Sequence, residues 1–453
     1  MKAFPPRVGE PMFGRKQLTA LLIPLIIEQV LSATIGIADT IMVAQVGEHA
    51  MSGVALVDAI NILLINIFAA LSTGGTVITA QYIGRKQRES ACRSACQAMI
   101  VTVALSTIVT VVFLCFRRGL LRLIYGAVEQ NVMDSALIYF LLTALSYPFI
   151  ASFNTCAAIF RAVGNARRPM VISVGMNILN LIGNAVFIFV FGMGAAGAAL
   201  STLISRIVGA AVIFVMLYSP RPEVNIRGLF PLKPDFPMIK SILNIGIPTG
   251  FENGIFQIGK VLVQSIITGF GTVGIAAASV ANSVASFSAM PGIAIGIGLV
   301  TVSGQCVGAQ KLDQARRYAV GFTAVSAVIA GVLNILLFFF CDPCIALFDV
   351  TSETAALSKQ LIFSTLIANT LFWPPAFVLP NALRAAGDVR FTMIVAVVSM
   401  WVFRVLLGYI FAVPLGFGVL GVWYGMVADW IARAAAYIGR YLSGRWTAHK
   451  VLT

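Results

Sequence analysis

The chain has 453 residues, of which 59% are hydrophobic and 11% are charged, and it carries a formal net charge of +14 at pH 7. Soluble globular domains contain about 45–50% apolar and about 25% charged residues. The composition therefore excludes an ordinary soluble enzyme or binding domain, and it predicts an all-α polytopic membrane protein in which lipid surrounds most of the chain.

Twelve apolar runs follow one another along the chain, and each is long enough for a helix to cross a bilayer, which takes about 20 residues. The first run is too long for the apolar core of a cleaved signal peptide, so we expect it to be the first span. A stretch rich in proline and charge, residues 219–240, is predicted to be a cytoplasmic linker between an N-terminal lobe, residues 1–218, and a C-terminal lobe, residues 241–453. The predicted spans are residues 18–43, 51–80, 94–116, 135–159, 170–191, 197–218, 241–269, 275–303, 318–340, 357–380, 391–412 and 419–441.

The distribution of Lys and Arg predicts the orientation of these spans. With the N-terminus in the cytoplasm, 23 of the 31 basic residues fall in inward-facing segments, four in outward-facing segments and four inside spans. This bias predicts that both termini are cytoplasmic. Basic loops that face an anionic leaflet also account for the net charge, so a nucleic-acid partner is not needed.

The two halves of the chain are related in sequence at an offset of 224 residues. Because six spans separate equivalent positions, both copies enter the membrane in the same direction. This predicts two parallel six-helix bundles related by an axis along the membrane normal, with the equivalent glutamates at equal depth beside a central cleft. The coinciding pairs include Pro24 with Pro248, Glu28 with Glu252, Gly47 with Gly271, Gln81 with Gln305 and Arg93 with Arg317.

Polar residues inside spans are costly in hydrocarbon, so each needs a partner or a function. In the N-terminal lobe, Asp39 of the first span, Asn180 and Asn184 on one face of the fifth, and Thr202 of the sixth are predicted to reach a similar depth. One carboxylate with several neutral oxygens suits a proton or a weakly bound monovalent cation, since divalent sites usually need more carboxylates. A purely structural polar network between helices is the alternative.

Each half also places a glutamate in its first span, four residues after a proline: Glu28 and Glu252. A desolvated carboxyl group tends to bind a proton, so either glutamate could take part in proton transport. Lys260 follows Glu252 by two helical turns and could instead keep that glutamate ionised.

Two further polar sets lie in predicted spans. Arg404 of the eleventh span is expected at the same depth as Asp429 and Arg433 of the twelfth, which predicts a buried charge cluster with a role either in packing or in coupling. Asp58 of the second span and its repeat equivalent Asn282 are expected to line the cleft.

Several short motifs occur in an order typical of one transporter family. Together with the repeat and the twelve spans, they make the chain resemble the multidrug and toxic compound extrusion (MATE) family over nearly its whole length. The resemblance implies alternating access and the export of organic cations or drugs against inward H⁺ or Na⁺. The motifs are Ile37-Ala-Asp39-Thr-Ile-Met-Val-Ala-Gln-Val-Gly47, Gln81-Tyr-Ile-Gly84, Phe160-Arg161-Ala-Val-Gly164, Phe251-Glu252-Asn253-Gly254 and Leu383-Arg384-Ala-Ala-Gly387-Asp388.

The resemblance also implies roles for single residues. Asp39 matches the family's first-helix aspartate, and Asn180 and Thr202 match its N-lobe cation-site positions. Asn154 matches an asparagine of the associated network. Glu252 matches the seventh-helix glutamate of the NorM-like branch of the family.

Two positions depart from the family pattern. Asn184 stands where the family often has aspartate, and the tenth-span segment Leu371-Phe-Trp-Pro-Pro375 lacks the acidic residue of the NorM-like branch. We therefore expect H⁺ or Na⁺ to couple at Asp39 rather than at Glu252, with no other metal and no cofactor. The expected protein is a monomer that handles small, cationic, amphipathic substrates.

Two other functions are alternatives to cation-coupled export. A flippase or exporter of a lipid-linked precursor, from the same superfamily, would usually carry extra spans and a strongly cationic cleft, whereas only four basic residues lie in the predicted spans. A membrane enzyme is not expected, because the chain has no HExxH, GxSxG or P-loop motif.

Overall fold

The computed structural model describes residues 10–126, 129–220 and 222–448, and within these ranges it contains helices and short connections but no strand. The first half contains α1 (Arg15–Ala44), α2 (Glu48–Gly84), α3 (Arg88–Tyr125), α4 (Gln130–Leu145), α5 (Tyr147–Ala162), α6 (Arg167–Asn184) and α7 (Gly194–Tyr218). The second half contains α8 (Phe236–Thr268), α9 (Gly271–Gly308), α10 (Leu312–Ala346), α11 (Ser352–Leu371), α12 (Trp373–Phe377), α13 (Leu379–Ala385), α14 (Val389–Ser399), α15 (Gly408–Ala412) and α16 (Val419–Leu442). π-helical turns continue α6 over Ala185–Val190 and α14 over Met400–Leu407.

These helices account for the predicted spans. Eight helical segments are individually long and apolar enough to cross a membrane, and two bent combinations, α4 with α5 and α11 with α12 and α13, bring the number to ten. The other two predicted spans are α8 and α16, which are 33 and 24 residues long and carry charged side chains that lower their hydropathy. The prediction of an all-α polytopic membrane protein is confirmed.

The fourth span of each half is bent. α4 meets α5 at 42°, and α11 meets the α12–α13 segment at 66°. Proline follows both breaks, as Pro148 in α5 and as Pro374 and Pro375 in α12. Since proline lacks an N–H group and its ring clashes with the carbonyl group four residues earlier, the helix cannot run straight through. The repeat found in the sequence therefore recurs as a bend in the equivalent span.

Two compact units divide the chain. The first unit is Lys16–Gly250, and the second combines Phe251–Thr453 with the described residues of Met1–Arg15. Residues 10–15 join the second unit through α10: the Met12 backbone N–H donates to Gln314 Oε1 at 2.7 Å, and that of Phe13 donates to the Tyr318 hydroxyl at 3.0 Å. The units thus differ from the predicted lobes at the N-terminus and in α8, where the division falls.

The predicted linker, residues 219–240, packs onto the first unit through α3. Gln97 Nε2 donates to the carbonyl oxygen of Lys233 at 2.9 Å, and Gln97 Oε1 accepts from the backbone N–H of Asp235 at 3.0 Å. Arg93 Nε lies 2.8 Å from the carboxylate of Asp235. The segment is therefore held by side chains of α3 along its second half.

Close helix packing in the second unit depends on glycine in α16. A Cβ atom at Gly421 would collide with the backbone of Phe411 and Ala412, whereas one at Gly439, on the same helix, would meet open space. The backbones of α15 and α16 can approach this closely only because Gly421 has no side chain.

We expect Gly421→Ala to lower the free energy of unfolding by about 1–3 kcal/mol, because the α15 backbone must shift to admit the methyl group. Gly439→Ala adds the same atom to the same helix in open space, and it should be neutral or stabilising, since alanine favours a helix by about 1 kcal/mol over glycine. Thermal unfolding of the purified protein in detergent measures both variants. Equal melting temperatures would contradict the close packing.

Candidate functional site

Three helices of the first unit bring Asp39 together with neutral polar side chains. Asp39 lies on α1, Asn180 and Asn184 lie one turn apart on α6, and Thr202 lies on α7. Asn184 Nδ2 donates to Asp39 Oδ1 at 2.8 Å. Both asparagines are buried and Asp39 is half-buried. These four residues, together with Ser201, are called the Asp39 group below.

The side-chain amide of Asn180 lies between Asp39 and two hydroxyl groups. One amide atom is 3.0 and 3.2 Å from the carboxylate oxygens of Asp39, and the other is 3.2 Å from both Ser201 Oγ and Thr202 Oγ1. The orientation that satisfies both ends of the amide places Nδ2 toward Asp39, where it donates to the carboxylate, and Oδ1 toward the two hydroxyl groups, from which it accepts. Asn180 and Asn184 therefore both donate to the carboxylate of Asp39.

The Asp39 group has a further oxygen atom to offer, since Asn184 Oδ1 is buried without a hydrogen-bond partner. A buried unsatisfied acceptor costs about 1–3 kcal/mol, which a bound ion would recover. Carboxylate and carbonyl oxygens are ligands for hard cations such as Na⁺. Among the described residues, no three His, Cys, Asp or Glu side chains form a metal cluster, and Asn154 of α5 makes no hydrogen bond to this group. The membership of Asn154 in the Asp39 group stays a prediction.

A second polar network in the first unit centres on Asp58 of α2. Asp58 Oδ1 accepts hydrogen bonds from Asn61 Nδ2 at 3.1 Å and from the Tyr139 hydroxyl at 3.0 Å. The Tyr147 hydroxyl donates to Asn61 Oδ1 at 2.7 Å, and Arg206 is near enough to interact electrostatically with Asp58. Asp58 was predicted from the sequence, whereas Tyr139 and Tyr147 were not. The rule that a buried tyrosine hydroxyl needs a polar partner could have identified them.

Each unit contains one buried glutamate–arginine ion pair. Arg161 Nη2 donates to Glu28 Oε1 at 2.7 Å in the first unit, and Arg384 Nη2 donates to Glu252 Oε1 at 2.5 Å in the second. In low dielectric each charge compensates for the other, and removal of one would leave its partner uncompensated. The pairs connect the first span of each unit to the end of its bent fourth span.

The second pair corrects one expectation. Lys260 makes no ion pair with Glu252, although their spacing on α8 allowed that pairing, whereas Arg384 does. Arg161 and Arg384 lie in segments predicted to face inward, and their side chains are 17% and 13% exposed within the ion pairs. A proton-transport role for either glutamate stays a prediction.

The predicted cluster in the last two spans is present around Asp429. Its Oδ1 atom accepts from Arg433 Nε at 2.7 Å and from the Ser399 hydroxyl at 2.5 Å. Arg404 Nη1 lies 3.6 Å from Oδ2, which is beyond hydrogen-bond distance. Arg433 is thus the close partner of the carboxylate, and Arg404 is held more loosely.

A known family profile matches each half of the chain separately. The sequence profile of the MatE family matches residues 24–186 and 248–410, two segments separated by the 224-residue offset. The chain belongs to the MatE family. The resemblance drawn from the motifs is confirmed, and the chain is a multi-pass membrane transporter.

The chain is similar over almost its full length to other transporters. It is 29% identical over 447 residues to the "Probable multidrug resistance protein NorM" of Thermotoga maritima, covering 97% of this chain and 94% of the relative. It is 28% identical over 438 residues to the "Uncharacterized transporter YisQ" of Bacillus subtilis, covering 95% and 94%. A crystal structure of MATE in complex with MaD3S matches the fold with a TM-score of 0.87 at 23% identity, over 95% of both chains. An outward-facing MATE family transporter of the MOP superfamily matches with a TM-score of 0.86 at 24% identity, also over 95% of both.

We expect Asp429→Ala to destabilise the protein by about 3–5 kcal/mol, because it leaves the buried charge of Arg433 without its partner. Asp342→Ala is the matched control: it breaks an ion pair with Lys359 whose side chains are 70% and 40% exposed, a loss of about 0–1 kcal/mol. Thermal unfolding in detergent measures both. Similar shifts in melting temperature would show that Asp429 does not hold the cluster together.

Proposed function

We propose that the chain is a secondary active antiporter that exports small amphipathic organic compounds, organic cations and drugs among them, across the bacterial plasma membrane. Inward movement of H⁺ or Na⁺ at Asp39 would drive export by alternating access, with both termini in the cytoplasm. The MatE family supports drug efflux as the transport activity. The observation that carries the coupling step is the geometry of the Asp39 group.

That geometry suits an ion that must bind and leave in every cycle. The group holds a single carboxylate, since Asn184 supplies a neutral amide where the family often has a second acid, so one monovalent ion neutralises it. The amides of Asn180 and Asn184 both donate to the carboxylate of Asp39, which satisfies its ionised, ion-free state without a second charge. Ligation by one charged and a few neutral oxygens is weak, and weak ligation allows release.

We expect Asp39→Asn to reach the membrane in normal amount and to lose export of ethidium, because the amide cannot take up a proton and has no charge for Na⁺. The measurement is ethidium transport in inside-out vesicles under an imposed ion gradient, with immunoblotting for protein amount. Asp134→Asn removes an exposed carboxylate of α4 in the same unit and should transport normally. Full export by Asp39→Asn would refute coupling at this residue.

The same vesicles distinguish H⁺ from Na⁺ as the coupling ion when a pH gradient and a Na⁺ gradient are imposed in turn. We expect one gradient to drive ethidium transport, and its effect to vanish in Asp39→Asn, since both ions are proposed to bind at one carboxylate. Export that persists after both gradients have been collapsed would contradict secondary active transport.

A further inference from the structure

A cavity of about 450 Å³ lies within the second unit. Its volume is in the range of small-molecule sites, about 300–1,000 Å³. Trp373, Trp430 and Asn369 line it and are at least nine-tenths buried, whereas Lys260 and Asn282 line it with exposed side chains. Asn282, expected at a central cleft, therefore belongs to the wall of this second-unit cavity. An exposed edge and buried aromatic walls give a ligand both an entrance and an apolar surface.

Positive charge exceeds negative charge around the second-unit cavity. None of its lining side chains is a carboxylate, whereas three are basic, and one of these, Arg384, is already paired with Glu252. Lys260 makes no ion pair or hydrogen bond in the described part of the chain. Arg404 has its Nε atom buried without a partner and stands 3.6 Å from Asp429. Lys260 and Arg404 also repel each other electrostatically. An anion between them would relieve that repulsion.

The remaining lining groups favour a flat aromatic body. Trp373 and Phe377 stack at 5.1 Å between ring centroids, and Phe256 meets Phe377 edge-on at 6.3 Å. Such ring faces pack against an aromatic ligand. Trp430 is 8% exposed, lines the cavity, and has an Nε1–H donor without an acceptor. A buried donor without an acceptor beside two cations is a second sign that an anionic acceptor fits here.

We propose that the second-unit cavity binds aromatic carboxylates. Arg404 and Lys260 bind the carboxylate, because a planar guanidinium matches its two oxygens and an ammonium adds a mobile charge. Trp373 packs against the ring, since the guanidinium groups of Arg404 and Arg433 already lie over the ring of Phe256 at 5.5 and 5.2 Å. The site goes beyond the proposed export function, because binding here requires neither an ion gradient nor Asp39.

The test compares three ligands of one shape: 9-anthracenecarboxylate, neutral 9-anthracenemethanol and the cation (9-anthracenylmethyl)trimethylammonium. The full chain is placed in nanodiscs of uncharged phosphatidylcholine, and binding is followed by quenching of tryptophan emission. Three of the five tryptophans, Trp373, Trp423 and Trp430, line the cavity. We expect the carboxylate to bind at least about tenfold more tightly than the cation, because one charge-assisted hydrogen bond contributes about that much affinity. Equal affinity for all three ligands would overturn the proposal.

Variants locate the binding. Lys260 is exposed and unpaired, so Lys260→Gln should fold normally, and it should weaken carboxylate binding about tenfold while leaving the neutral alcohol unaffected. Lys260→Arg keeps the charge and should restore affinity. Lys359→Gln removes a lysine of the same unit that does not line the cavity, and it should bind like the unaltered protein. An unchanged preference for the carboxylate in Lys260→Gln would place the binding elsewhere and refute this site.

The outcome is separable from that of the proposed function. Ethidium export by a protein that binds the three ligands equally would contradict the cavity alone. A strong preference for the carboxylate in a protein that exports nothing under any gradient would contradict the export function alone.

Discussion

Burial of charge is the constraint on which the arrangement of these helices depends. An unpaired ion in a medium of low dielectric costs several kcal/mol, so each buried carboxylate has to meet a cation on a nearby helix or turn. Glu28 and Glu252 do so with arginines more than 130 residues away in the chain. Such pairs select which helices can be neighbours: α1 must meet α5, and α8 must meet α13. Apolar packing alone has no such selectivity, because leucine and lipid are equally apolar.

Proline and the ion pair act together in each unit. Proline bends the fourth span, and the paired arginine lies on the segment after the bend, at Arg161 in α5 and at Arg384 in α13. A straight fourth span would carry that guanidinium in another direction, away from the first span. Proline also stands four residues before each glutamate, inside α1 and α8. The local backbone thus sets where the charges point, and the charges then hold the bend in place.

Hydropathy and repeat spacing were sufficient to predict the spans, the two halves and the depth of the Asp39 group, because all three depend on position along a helix. Lateral partners were not predictable in this way, since many side chains share one depth. Spacing along α8 suggested Lys260 as the partner of Glu252, and Arg384 was not predicted because it belongs to the segment after the bend of the fourth span. The tyrosines around Asp58 were missed for a different reason: a hydroxyl carries no charge, and its burial cost becomes evident only when the helix face that buries it is known.

The two units share a scaffold, but the charge of the side chains that would face a ligand can differ in sign between them. At the 224-residue offset Pro24 and Glu28 coincide with Pro248 and Glu252, as do several glycines, and Arg161 matches Arg384 at an offset of 223, so the ion pair that braces each backbone repeats. The positions that would face a ligand do not repeat, and none of them takes part in the brace. A substitution at these positions changes the electrostatic potential around the ligand, and it leaves the bend of the fourth span and the glutamate–arginine ion pair unchanged. One unit thereby holds a carboxylate among neutral oxygens, and the other holds two cations among aromatic rings. The pairs that differ are Asp39 with Val263, Gly36 with Lys260, Asn180 with Arg404 and Asp58 with Asn282.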